Sequence, residues 1–207
     1  MGRIYLKNLG NALIGMVNYS QAIKYLNESN DPISRSQAIE CLFMMKQFSK
    51  VLEHLEATSV CDAKNIRLAS FSAYASNQLK FPDPFPYCKN PLSYIKVSNL
   101  SKYIEGIDDF TRKIIQEIDH REFMSDPINN TTKFGIRTNP DLFPALETNL
   151  KILENIIKSE LTSYQSYYRS YNNVFINDWP EKFKLTAWFV RLKKNGHQTA
   201  HIHPTGW

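Results

Sequence analysis

The apolar positions of the chain change their spacing along its length, and those changes divide it. From residue 3 to residue 79 they recur every three or four residues, the period that gives a helix one buried stripe. Breaks in the pattern set the helices in pairs, with Asp31-Pro32 as the clearest interruption. Tyr19-Ser-Gln-Ala22-Ile23 is echoed 29 positions later by Phe48-Ser-Lys-Val51-Leu52. Gly10, Ala12 and Ala22 are small enough to let helix axes approach closely. A further helix is expected from Asn65 to Leu79, with Leu68, Phe71 and Ala75 on one face.

The pattern then stops. Phe81-Pro-Asp-Pro-Phe-Pro-Tyr-Cys-Lys-Asn-Pro91 holds four prolines in eleven residues, which excludes a helix and favours extended or turn geometry. It reads as a stiff linker, residues 81–91, packed by Phe81, Phe85 and Tyr87, between a helical region (1–80) and a second domain (92–207). In that second domain a short strand is expected at Tyr94 to Val97. Ser101 is expected to cap a helix with Ile104, Ile107, Phe110, Ile114 and Ile118 in one stripe. Residues 120–141 are loop-rich, with a short strand at Phe134 to Thr138. The longest helix is expected from Pro144, with Leu146, Leu150, Leu153, Ile157 and Leu161 on its apolar face and Tyr164, Tyr167, Tyr168 and Tyr171 extending it. Trp179-Pro180 breaks the chain. A strand from Thr186 to Leu192, a Lys-Lys-Asn-Gly turn ending at Gly196 and a second strand close the reading as a hairpin. The fold class is α+β.

Composition narrows the field. At 43% hydrophobic and 22% charged the chain has the balance of a globular domain. Its net charge of +5 invites a nucleic-acid reading, but the lysines are scattered and no RNA-binding signature occurs, so no nucleic-acid partner is expected. Cys41, Cys61 and Cys88 are odd in number and form no Cys-x-x-Cys pair, which points to a reducing, cytoplasmic setting. No apolar run approaches the ~18 residues of a membrane span and no signal peptide opens the chain, so no membrane partner is expected. The triplet Asn130-Thr-Thr132 is then a chance match to a glycosylation site.

Candidate chemistry gathers at the C-terminal end, which carries three of the five histidines. In an extended segment alternate side chains share a face, so His201 and His203 point the same way. Two imidazoles at that spacing suit Fe, Zn, Cu or Ni. His197 shares the face but lies four residues earlier, about 13 Å along a strand, which makes it a candidate for a place behind the ligands or on the substrate side. Pro204 ends the strand just after the pair. His54 and His120 have structural explanations: a mid-helix filler and a cation at a helix C-terminus.

These words together carry a family resemblance. Trp188-x-Val190-x-Leu192, Gly196-His197-Gln198 and His201-Ile-His203-Pro204-x-Gly206-Trp207 resemble the 2-oxoglutarate/Fe(II)-dependent oxygenase family whose members often carry tetratricopeptide-like repeats. The spacing of Leu9-Gly10, Tyr19 and Ala22 is likewise similar to tetratricopeptide units, though 29 residues is short of their usual ~34. The resemblance implies a double-stranded β-helix (jelly roll) behind the helical region, an iron held through His-x-Asp/Glu and a distant histidine, and 2-oxoglutarate as cosubstrate on a downstream basic residue. His201 falls on the first ligand and His203 on the position usually held by the carboxylate. No other catalytic residue is implied. The expectation is that the chain is the front part of a longer protein, with the third ligand and the cosubstrate base beyond Trp207 and little activity in this piece alone. It implies a hydroxylase-type oxidation and names no substrate.

Two other classes fit some of the same residues. Gly196-x4-His201-x-His203 resembles a cupin metal motif with one residue missing. The helical region, taken alone, fits a non-catalytic repeat scaffold that offers a concave surface to a protein partner.

Overall fold

The computed structural model describes residues 2–85, 87, 88, 90–125, 131–139, 141–143, 148–201 and 203. Among them are eight α-helices and one three-stranded antiparallel sheet, an α+β chain. Pro144, Leu146, Asn130, Pro204 and Trp207, which entered the sequence reading, lie outside the described residues. No helix among the described residues is long and apolar enough to cross a membrane. The chain divides into two compact units, one of residues up to Ser93 with Tyr171–Asp178 and His203, the other of Tyr94–Ser170 with Trp179–His201.

The first unit is built from helical hairpins. Helices α1 (Arg3–Gly15) and α2 (Tyr19–Ser29) form one, α3 (Pro32–Met44) and α4 (Phe48–Thr58) the next, and α5 (Ile66–Leu79) follows. Both hairpins turn on a residue in the left-handed region, Val17 (φ 59°) and Lys46 (φ 57°), 29 positions apart. In the first turn the Val17 and Asn18 amides donate to Ile14 O and Leu13 O, both at 2.9 Å; in the second the Lys46 and Gln47 amides donate to Phe43 O and Leu42 O at 2.9 and 3.0 Å. This is the reciprocal pair that satisfies the last carbonyls of a helix. The sequence echo therefore coincides with a structural one: Ala22 and Leu26 are buried on α2 where Val51 and Leu55 are buried on α4. Gly10 permits the close approach of α1 to α2, because a Cβ there would meet Leu26 Cδ2 at 2.7 Å and Leu26 is fully buried. Ala12 faces solvent.

The proline-rich stretch packs into this unit. Phe85 (1% exposed) and Tyr87 join Leu42, Val51, Leu55, Leu68 and Phe71 in one apolar core. Asp83 fixes the approach, its Oδ1 accepting from Ser72 Oγ at 2.5 Å and from the Phe85 amide at 2.9 Å. Phe81 does not pack with them and stays 61% exposed. A later segment returns here: α8 (Val174–Asn177) lays Val174 and Phe175 on the same core, and the Phe175 amide donates to Tyr87 O.

In the second unit α6 (Ile107–Asp119) and α7 (Thr148–Tyr168) accompany the sheet β1 (Phe123–Ser125), β2 (Thr132–Thr138) and β3 (Val190–Gln198), ordered β1-β2-β3. Ile118, Leu142 and Leu150 form its core, with Ile114, Phe123, Ala187 and Phe189 against them. Glu117 of α6 caps α7, its carboxylate accepting from the Asn149 and Leu150 amides at 3.1 and 3.0 Å, where a negative charge suits the helix dipole. On α7, Tyr164 stacks on Trp179 (centroids 5.6 Å apart) and donates its hydroxyl to Tyr94 O at 2.6 Å, and Tyr168 is buried, so these two tyrosines pack, while Tyr167 is exposed. Tyr171 lies past the helix, in the first unit.

Three local expectations are corrected. Residues 94–97 are no strand: Pro91–Tyr94 is a 3-10 turn and residues 95–99 are irregular. Ser101 caps no long helix, because Asn99 accepts from the Ser101 amide to open a 3-10 turn at Leu100–Lys102, and α6 starts only after Gly106 (φ 69°). The C-terminal hairpin is absent as well: 190–198 is one strand, and both of its halves pair with β2 rather than with each other.

The start of α3 supplies a test. Asp31 Oδ1 accepts from the Ile33 and Ser34 amides (3.0 and 3.2 Å) and Oδ2 from Ser34 Oγ (2.5 Å) and Ser29 Oγ (3.0 Å). Burial alone raises its pKa, but these hydrogen bonds more than reverse that, bringing it from 3.8 to about 2. A lowered carboxylate pKa gives stability that is full above about pH 4 and is lost as pH falls through about 2. The shift corresponds to about 2 kcal/mol at neutral pH. Urea midpoints of the chain and of Asp31→Asn should differ at about pH 5 and converge towards pH 2; a gap that does not narrow contradicts the assignment.

Candidate metal centre

The histidine-bearing end is positioned by β2 and β3. Thr138 anchors the start of the pairing: its amide donates to Phe189 O and its hydroxyl oxygen accepts from the Phe189 amide, both at 3.0 Å, with the side chain buried. Arg191 ties β3 to the end of α6 through an ion pair with Asp119, and its guanidinium lies 5.1 and 5.6 Å from the Phe123 and Phe189 rings.

The register then breaks. Gly135 faces Leu192 and Lys133 faces His197, so β3 residues 193–196 together oppose the single residue Phe134. This is a bulge, with Asn195 (φ 66°) and Phe134 (φ 52°) both in the left-handed region. Gly196 makes it possible: a Cβ there would meet Phe134 O at 2.7 Å and Lys193 O at 2.8 Å, and neither backbone oxygen can give way as a side chain can. Lys-Lys-Asn-Gly carries a turn signal, and the chain uses its left-handed residue to re-aim a continuing strand instead of reversing it.

Past the bulge pairing resumes at His197 and Gln198, and the Thr199 amide donates to Thr131 O at 2.9 Å. His197 therefore lies on the sheet, exposed, with Nδ1 3.4 Å from Asn195 O. His201 and His203 lie beyond the strand, both exposed, His201 at the end of the second unit and His203 grouped with the first. The strand alternation that gave them a common face does not apply to them. His201 Nδ1 sits 2.8 Å from Thr199 O. A carbonyl can only accept, so this contact places a proton on Nδ1, and in the neutral ring the lone pair is then on Nε2, the arrangement in which a backbone oxygen orients a metal-binding imidazole.

Among the described residues, no three or more His, Cys, Asp or Glu side chains come together to hold a metal. His54 and His120 lie elsewhere, on α4 and at the C-terminal cap of α6. Burial pushes the Cys41 thiol up to about 11 and raises Cys88 as well, which disfavours at both the thiolate a metal needs. Sequence reasoning missed Thr199, whose amide ties the His201 segment to β2 and whose carbonyl orients the ring. Its position two residues before His201 was the available signal. Comparison of the chain with family models, with curated proteins and with solved structures finds no match in any of the three.

The bulge predicts its own failure. Gly196→Ala should force β3 off β2 beyond Phe134, at a cost of about 1–3 kcal/mol. In hydrogen exchange the Thr199 amide should lose protection by about tenfold or more, while the Thr138 amide on the near side keeps its own. Unchanged protection at Thr199 would contradict the geometry.

Proposed function

We propose that the chain belongs to an Fe(II)- and 2-oxoglutarate-dependent dioxygenase, with His201 and His203 as metal ligands and His197 on the substrate side. In this reading the second unit is the helix-rich front of a double-stranded β-helix, and the first is a tetratricopeptide-like region. The observation that carries it is the run His201-Ile-His203-Pro204-x-Gly206-Trp207 directly after a sheet strand, with Nδ1 of His201 against a backbone carbonyl so that in the neutral ring Nε2 bears the lone pair. The donor chemistry fits: two neutral imidazoles suit Fe(II), and histidine in place of the usual carboxylate keeps the charge of the site with the metal. Iron with 2-oxoglutarate supplies oxidising power for hydroxylation of a substrate. The residues of this chain contribute the ligands, and Thr199 and Thr131 contribute the anchoring.

A second role is favoured for the first unit by its own geometry. Two hairpins with the same turn, 29 positions apart, build a short stack of the kind that presents a surface to a protein partner. This role can accompany the oxygenase reading or stand without it.

Anaerobic calorimetric titration of Fe(II) into the purified chain tests the ligand assignment. His201→Ala and His203→Ala should each weaken binding by about tenfold or more, whereas His203→Asp, which leaves one imidazole and one carboxylate as donors, should retain it. Fe(II) affinity unchanged in His201→Ala would remove the chemical basis of the proposal.

A further inference from the structure

One face of the first unit is open, apolar and acidic at once. Along α4, Ser49, Leu52, Glu53 and Glu56 recur at the three- and four-residue intervals that share a face. Opposite them stand Leu79, at the end of α5, and Phe81-Pro82-Asp83-Pro84. Together they enclose a groove of about 550 Å³. Leu52 is buried at its base, while Leu79 (42%) and Phe81 (61%) leave apolar surface open. The far wall is preformed, because Asp83 is held by Ser72 and the Phe85 amide, and Phe85 is locked in the core.

The charges decide what fits. Among the described residues the lining carries three carboxylates, Glu53, Glu56 and Asp83, and no lysine or arginine, in a chain whose net charge is +5. A nucleic acid, an anionic membrane surface or an acidic peptide meets repulsion here, whereas a cation meets complementary charge at the rim of an apolar slot. We infer that this groove docks a segment of a partner protein in which a bulky apolar side chain is flanked by lysine or arginine. The apolar residue lies against Leu52, Leu79 and Phe81, and the cations meet Glu53 and Glu56. The groove uses none of the histidines and stands apart from the oxygenase reading.

Panning a phage-displayed library of random nonapeptides against the purified chain tests it. The enriched sequences should centre on Leu, Ile or Phe with Lys or Arg on both sides. A synthetic peptide of that consensus should lose affinity about tenfold or more against the variant Phe81→Ala/Glu53→Gln/Glu56→Gln. All three are exposed positions, and circular dichroism of the variant checks that its helices are kept. An absent or acidic consensus, or a consensus peptide that binds the variant equally well, overturns the proposal.

Discussion

The first unit depends on a charge pair set at the start of a helix. Arg35 forks onto Asp62, with Nε and Nη2 each 2.8 Å from a carboxylate oxygen, while Nη1 donates to Asn30 O. Asp62 is almost wholly buried in the link between α4 and α5, so the pair joins the start of α3 to the loop that launches α5. Removing one partner of such a pair leaves an uncompensated buried charge, which costs about 3–5 kcal/mol. Around it Asn65 caps α5 and donates to Ser36 Oγ, and the Ser29 hydroxyl is shared between Asp31 Oδ2 and Arg3 O, each 3.0 Å away, so the ends of four helices meet at one polar seam. The apolar stripes bring the hairpins together; the seam sets how far each slides along its neighbour. That register places Glu53 and Glu56 opposite Phe81.

The second unit depends on a different constraint, a bulge that a single missing Cβ allows. Thr138 and Arg191 hold the near half of β3, and Gly196 lets the far half rejoin β2 after residues 193–196 have been accommodated against Phe134. The position of His197 and the anchoring of Thr199 on Thr131 follow from that return. A site proposed at His201 thus rests on a glycine five residues before it.

Much of the helical fold was legible because periodicity and capping act locally. Asp31-Pro32 does fall at the break between two helices, a helix does run from next to Asn65 to Leu79, and Leu68, Phe71 and Ala75 do lie on its buried face. Phe134 to Thr138 does lie in a strand. The illegible parts required knowledge of a partner segment. Val17, a β-branched residue, sits in the left-handed region because the two helices on either side of it pack, and no local rule assigns it there. The Lys-Lys-Asn-Gly turn signal is also the signal of a bulge, and only the presence of β2 beside it chooses between them. The histidine pair was visible as a pattern. The tie of Thr199 to Thr131 that anchors the His201 segment, and the groove beside Phe81, arise from chain segments that meet only on folding.

The central claim is that His201 and His203 hold iron. The chain carries its own controls, since its five histidines include His54 and His120, which are placed on other elements. The direct measurement is an anaerobic nuclear magnetic resonance titration of the chain with nitrogen-15-labelled histidine, following the five imidazoles as substoichiometric Fe(II) is added. The account predicts that the His201 and His203 signals broaden first and together, His197 later, and His54 and His120 last. Uniform fading of all five, or an unchanged His201 signal, would contradict it.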